Sequence, residues 1–142
     1  MFRSNVQSLL GLEIIKTILI VEGNEDTKRV FARILKKRGF AVDLAKDNQE
    51  AMEKIEKNMY DGALVSLEYS DVGGGDLLFF SKESLPKAKK FIAKDIDSLQ
   101  ISISSAEMGA DAIFSKPVAP EKLLSEIEKK LKSQDLTQLG KP

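Results

Sequence analysis

The chain has no histidine and no cysteine among its 142 residues. Without imidazole it has no histidine general base, no histidine metal ligand and no phosphohistidine relay of its own. Without thiols, disulfides, zinc–thiolate sites and thiol nucleophiles are excluded. Neither sign of charge is in excess, with 22 Lys and Arg against 22 Asp and Glu. A general binder of nucleic acid or of anionic membranes is therefore not indicated. No apolar run approaches the roughly 20 residues of a membrane span. Met1-Phe2-Arg3 is too weakly charged for a signal peptide, and Asn5, Gln7 and Ser8 break the apolar stretch after it. A cytoplasmic location is the expectation.

What is present has the composition of a globular domain, 42% apolar and 31% charged. The length suits one domain with a real core. Residues 1–15 precede the regular pattern and form an extension, in which Val6, Leu9 and Leu10 have the spacing of a short docking helix that Gly11 weakens. The domain proper is expected over residues 16–132, with a polar, frayed tail over 133–142.

Strand and helix patterns alternate from Thr17. Thr17-Ile18-Leu19-Ile20-Val21 is an apolar, largely β-branched run, the character of a strand covered on both faces. Val30, Phe31, Ile34 and Leu35 follow at helical spacing, with Gly39 where a C-terminal cap belongs. Ala41–Ala45 reads as a second strand. Asp47 or Asn48 then caps a helix with Met52, Ile55 and Met59 on one face. Gly62–Leu67 is the third strand, and Gly73-Gly74-Gly75 leads into a third helix near Leu77-Leu78. Between Pro86 and Gly109 two readings compete. One places a strand at Lys90–Lys94 and a helix from about Asp97 to Met108; the other makes Leu99–Ser104 the strand. A crossover between parallel strands takes roughly a dozen residues, which favours the first. Ala112–Phe114 is the fifth strand. Pro120 opens a last helix whose buried stripe is Leu123, Leu124, Ile127 and Leu131. Five alternating pairs predict an α/β fold, a five-stranded parallel sheet with helices on both faces. Ligands in such sheets sit at the carboxyl ends of the strands. Those ends carry Glu22-Gly23, Ser66, Lys94 and Lys116-Pro117.

Here the chain resembles the response-regulator receiver domains of two-component signalling. The resemblance rests on Ile18–Glu22, on Gly109-Ala110-Asp111-Ala112-Ile113-Phe114-Ser115-Lys116-Pro117 and on Pro120–Leu124, and it covers roughly residues 16–132. It implies the doubly wound, flavodoxin-like fold. It also implies an aspartate ending the third strand that accepts a phosphoryl group, an acidic pair after the first strand that helps it hold Mg²⁺, and a lysine contacting the phosphoryl oxygens. A serine or threonine ending the fourth strand couples the product to an aromatic residue on the fifth.

Carried over residue by residue, the pattern is damaged. The phosphoacceptor position is Ser66. The acidic pocket is reduced to Glu22 beside Gly23. Lys94 stands at the serine or threonine position, and the switch position is Ile113, with Phe114 on the opposite face of the strand. Lys116-Pro117 alone is as the family has it. A serine hydroxyl cannot form an acyl phosphate, and without a nearby base it is a poor nucleophile. One carboxylate should hold Mg²⁺ very weakly or not at all. The expectation is a non-enzymatic pseudo-receiver with no metal or other cofactor, acting without phosphorylation through protein contacts. The partner would be another protein or a second copy of this chain, met on the face of the fourth helix, fifth strand and fifth helix, around Ile96–Met108 and Ala119–Leu131. The remaining residues leave no room for an output domain.

A Glu22–Lys116 ion pair is expected to replace the lysine's usual partner. If Lys94 joins them, the pocket suits a small anion, the basis of an alternative reading as an anion or ligand sensor. Val21-Glu22-Gly23 also resembles the first motif of Toprim domains, which use Mg²⁺ in phosphodiester chemistry. Their later Asp-x-Asp falls on Ser66-Leu67-Glu68, with Asp71 following. Lys87, Lys89 and Lys90 read as a solvated face.

Overall fold

The computed structural model describes residues 15–67, 83–95 and 109–140. Five strands form one parallel sheet: β1 (Thr17–Val21), β2 (Ala41–Ala45), β3 (Gly62–Leu67), β4 (Lys89–Asp95) and β5 (Ala112–Lys116). Their spatial order is β2-β1-β3-β4-β5. The described helices are α1 (Glu25–Lys37), α2 (Asn48–Lys57) and the last helix, α3 (Pro120–Gly140).

Strand alternation divides the core in two. Ile18, Ile20, Leu64, Phe91, Ala93 and Phe114 meet Phe31 and Leu35 of α1 and Leu123 and Ile127 of α3 on one side. Leu19, Val21, Val65, Leu67 and Ile92 meet Ala51 and Ile55 of α2 on the other. The helices thus cover both faces, as the double-sided apolar runs require.

Asn24 caps α1 by accepting the Thr27 N–H at 2.9 Å, and Glu25 and Asp26 in the first turn suit the helix dipole. Gly39 ends the helix at φ +96°, a conformation costly for any residue with a Cβ. Its N–H reaches the Lys36 carbonyl at 3.0 Å. Asp47, and not Asn48, caps α2 by accepting the Glu50 N–H, while Glu50 accepts the Lys46 N–H. Two aspartates fasten the starts of strands. Asp61 accepts the Thr17 N–H and Asp111 the Lys90 N–H, each at 2.7 Å.

Several expectations need correcting. Val30 was expected on the buried stripe of α1; it is exposed, and Ala32 fills the place beside Phe31 and Leu35. Met59 is exposed because α2 stops at Lys57, leaving it beyond the helix whose buried residues are Ala51 and Ile55. The tail expected from Ser133 is helical through Gly140, since no proline or glycine interrupts the chain between Pro120 and Gly140. Strand β4 at Lys89–Asp95 agrees with the first of the two competing readings. The 1–15 extension up to residue 14, Gly73–Gly75 with the helix after it, and the Asp97–Met108 helix lie outside the described residues.

A polar knot ties β2 to α2. Asp43 accepts from Lys54 Nζ at 2.7 Å and from the buried Tyr60 hydroxyl at 2.5 Å. Burial and the adjacent carboxylate push the Tyr60 hydroxyl well above its ordinary pKa. For Asp43, burial raises the pKa, but the bonds from Lys54 and Tyr60 outweigh it and hold the carboxyl below its usual value. A lowered folded pKa stabilises above the unfolded value of about 3.9, and the gain is lost as pH falls through the folded value. Asp43→Asn is therefore expected to cost about 1 kcal/mol at neutral pH, a figure kept small because the Lys54 pair is partly exposed. Urea denaturation should show the gap from wild type closing in strong acid.

Candidate functional site

The carboxyl ends of β1, β3 and β5 bring together Glu22, Ser66 and Lys116. Register explains the meeting. Val21 pairs with Val65, so Glu22 and Ser66 follow one residue later on adjacent strands. Ser66 lies opposite Ala93, which lies opposite Phe114. Lys116 is two residues beyond Phe114. The two-residue period puts Glu22, Ser66 and Lys116 on the face of Ile20, Leu64 and Phe114, the face covered by α1 and α3.

Glu22 is the centre of the cluster and is 1% exposed. One carboxylate oxygen, Oε1, accepts from Lys116 Nζ at 3.0 Å and from the Ser66 hydroxyl. The other, Oε2, accepts the backbone N–H of Asn24 at 3.0 Å. The Glu22 N–H donates to the Ala45 carbonyl at 3.0 Å, anchoring the residue to β2. A buried carboxylate is tolerable only with such a set of donors. The Glu22–Lys116 pair foreseen in the sequence is formed. The statement that Ser66 has no nearby base needs correction, since its hydroxyl donates to a carboxylate. The same carboxylate also accepts from Lys116 and from the Asn24 backbone N–H.

Lys94 does not join the three. It pairs in register with Leu67 and Ser115, and alternation puts it on the face of Ile92, opposite Glu22. It is buried, and among the described residues no carboxylate lies within ion-pair distance of it. The pocket of two cations and one anion is therefore not assembled. Ile113 is on that same opposite face and is partly exposed, while Phe114 is fully buried. Gly23 is exposed, and a Cβ there would lie 3.4 Å from the Lys46 carbonyl oxygen, an ordinary contact. The backbone of Gly23 has no positive φ, so its side-chain-free state is not enforced by geometry. Among the described residues no group of three acidic side chains is placed to hold a metal ion.

The model of the response regulator receiver domain family matches residues 18–128. The chain belongs to this family. Its receiver fold agrees with solved structures. A CheY-like receiver domain protein from Methanospirillum hungatei JF-1 superposes with a TM-score of 0.81 at 33% identity, covering 87% of this chain and 99% of that one. Among curated proteins, the cyclic di-GMP phosphodiesterase of Thermotoga maritima is 30% identical over 118 residues, 83% of this chain and 32% of that protein. The acid tolerance regulatory protein ActR of Rhizobium meliloti is 24% identical over 110 residues, 78% of this chain and 57% of that protein. The receiver thus spans about a third to just over half the length of these two relatives. The family match runs through Val21-Glu22-Gly23, and the Toprim reading gains no support; Glu68 and Asp71 lie outside the described residues. No described helix is long and apolar enough to cross a membrane.

Replacing Glu22 by Gln keeps an acceptor for Asn24 and Ser66 but removes the carboxylate charge that pairs with Lys116. The expected loss is about 3 kcal/mol, the low end for breaking a buried pair, because Lys116 keeps some solvent contact. Chemical denaturation checks this, and Glu22→Asp, which keeps the charge on a shorter stem, should lose less.

Proposed function

We propose that this receiver domain works in two-component signalling without aspartyl phosphorylation, through contacts with other proteins. The reading rests above all on one observation, the closed Glu22–Ser66–Lys116 cluster at the carboxyl end of the sheet. In this reading Ser66 occupies the phosphoacceptor-equivalent position and cannot form an acyl phosphate. Lys116 occupies the phosphate-contact position and is held by Glu22, which supplies internally the negative charge that a phosphoryl group brings from outside. Gly23 takes away a second carboxylate, so among the described residues at these strand ends Mg²⁺ meets one acidic side chain, Glu22, that is already paired. Ile113, at the switch-equivalent position, has no aromatic ring to swing.

The partner is another protein or a second copy of the chain, met on the side where β5 and α3 lie. Partly exposed Ile113 gives that side an apolar contact. An anion-sensing role is less well supported, because Lys116 is paired and Lys94 belongs to the other face.

The proposal is tested with a small-molecule phosphodonor and Mg²⁺. Intact-mass spectrometry should show no phosphoryl adduct on the wild type. A single adduct lost in Ser66→Ala would overturn the reading. The double variant Gly23→Asp, Ser66→Asp meets only an ordinary contact at the Cβ of position 23 and should gain both Mg²⁺ binding and an acid-stable, base-labile phosphoryl adduct.

A further inference from the structure

A concentration of positive charge lies away from the Glu22 cluster. Helix α1 and strand β2 enclose an open groove of about 530 Å³. Its floor is apolar, made by Ala32 and Leu44. Its walls carry five cations, Lys28, Arg29, Arg33, Lys36 and Lys37, against one acid, Glu25.

Local pairing accounts for only two of these cations. Lys28 reaches Glu25 at 2.9 Å, and Arg29 lies 3.8 Å from Asp26. Arg33, Lys36 and Lys37 are exposed and have no carboxylate within ion-pair distance among the described residues. The dipole of α1 rewards Lys36 and Lys37 in the last turn but not Arg33 in mid-helix.

We propose that this groove docks an acidic segment of a partner protein that also carries aliphatic side chains. The carboxylates would meet Arg33, Lys36 and Lys37, and an aliphatic side chain would cover Ala32 and Leu44. Charge complementarity selects an anionic occupant, and the floor selects its apolar part. A single-stranded nucleic acid fits less well, since no aromatic side chain lines the groove for base stacking. The inference does not depend on how Ser66 and Glu22 are read.

The probe is a synthetic fluorescent peptide of glutamates with two leucines at helical spacing. Fluorescence anisotropy with the full chain at low salt should show saturable binding that weakens as salt is added. The triple variant Arg33→Gln, Lys36→Gln, Lys37→Gln should bind about tenfold more weakly. The control Lys122→Gln, Lys129→Gln on α3 should bind like wild type. A peptide with its leucines replaced by serine should also lose affinity. No binding by wild type, equal binding by the triple variant, or loss in the control would overturn the proposal. So would oligothymidylate or phosphatidylserine vesicles binding more tightly than the peptide.

Discussion

A buried carboxylate with nowhere to send its charge would unfold the top of this sheet, and the arrangement around Glu22 is what prevents that. Its two oxygens take an ammonium, a hydroxyl and a backbone N–H from three separate pieces of chain. Each donor fixes something else. Asn24, whose N–H is held, caps α1 with its own side chain. Ser66 is the last residue but one of the central strand, and Lys116 ends the edge strand β5 just before Pro117, whose peptide bond is cis. The cluster therefore joins the ends of three strands to the start of the helix that packs beneath them. The desolvation of Glu22 is repaid only while all three donors stay in place.

The strands were legible in the sequence because their physics is simple. A parallel strand covered on both faces must be apolar at successive positions, and Thr17–Val21 and Gly62–Leu67 are. The cap at Asp47 and the helix end at Gly39 were legible for similar reasons, one residue type meeting one backbone need. Helix faces were less so. Val30 carries the hydrophobicity of a core residue, but small Ala32 takes the buried place beside Phe31 and Leu35, and Met59 falls beyond the end of its helix. Periodicity ranks residues by apolarity and is blind to how near the helix lies to the strand. The extent of α3 was missed for the opposite reason, because polar residues after Leu131 resemble a tail unless the absence of helix breakers is weighed.

The site was readable in its members and not in its sides. Glu22, Ser66 and Lys116 are all at strand ends, and counting residues along each strand brings them to one face. Lys94 is also at a strand end, and the resemblance put it with the others. Its register partners Leu67 and Ser115 put it on the opposite face. That distinction depends on strand register, which is set by pairing over the whole sheet and leaves no local mark in the sequence. The aspartates that fasten the strand starts, Asp61 and Asp111, escaped notice for a related reason. An aspartate before a strand reads as turn chemistry, and only the fold shows that its acceptors meet Thr17 and Lys90 on neighbouring strands.

The ends of β1, β3 and β5 bring one carboxylate and one ammonium together. Glu22 and Lys116 sum to zero, and Ser66 adds no charge, so the buried cluster is neutral as it stands. A divalent cation taking Glu22 as a ligand would have to compete with Lys116 for the same carboxylate oxygen. An anion would have to displace Glu22 from Lys116, leaving an unpaired carboxylate that is almost wholly buried. Either visitor would compete with a buried ion pair that is already hydrogen-bonded. The three donors to Glu22 thus favour one arrangement of the strand ends.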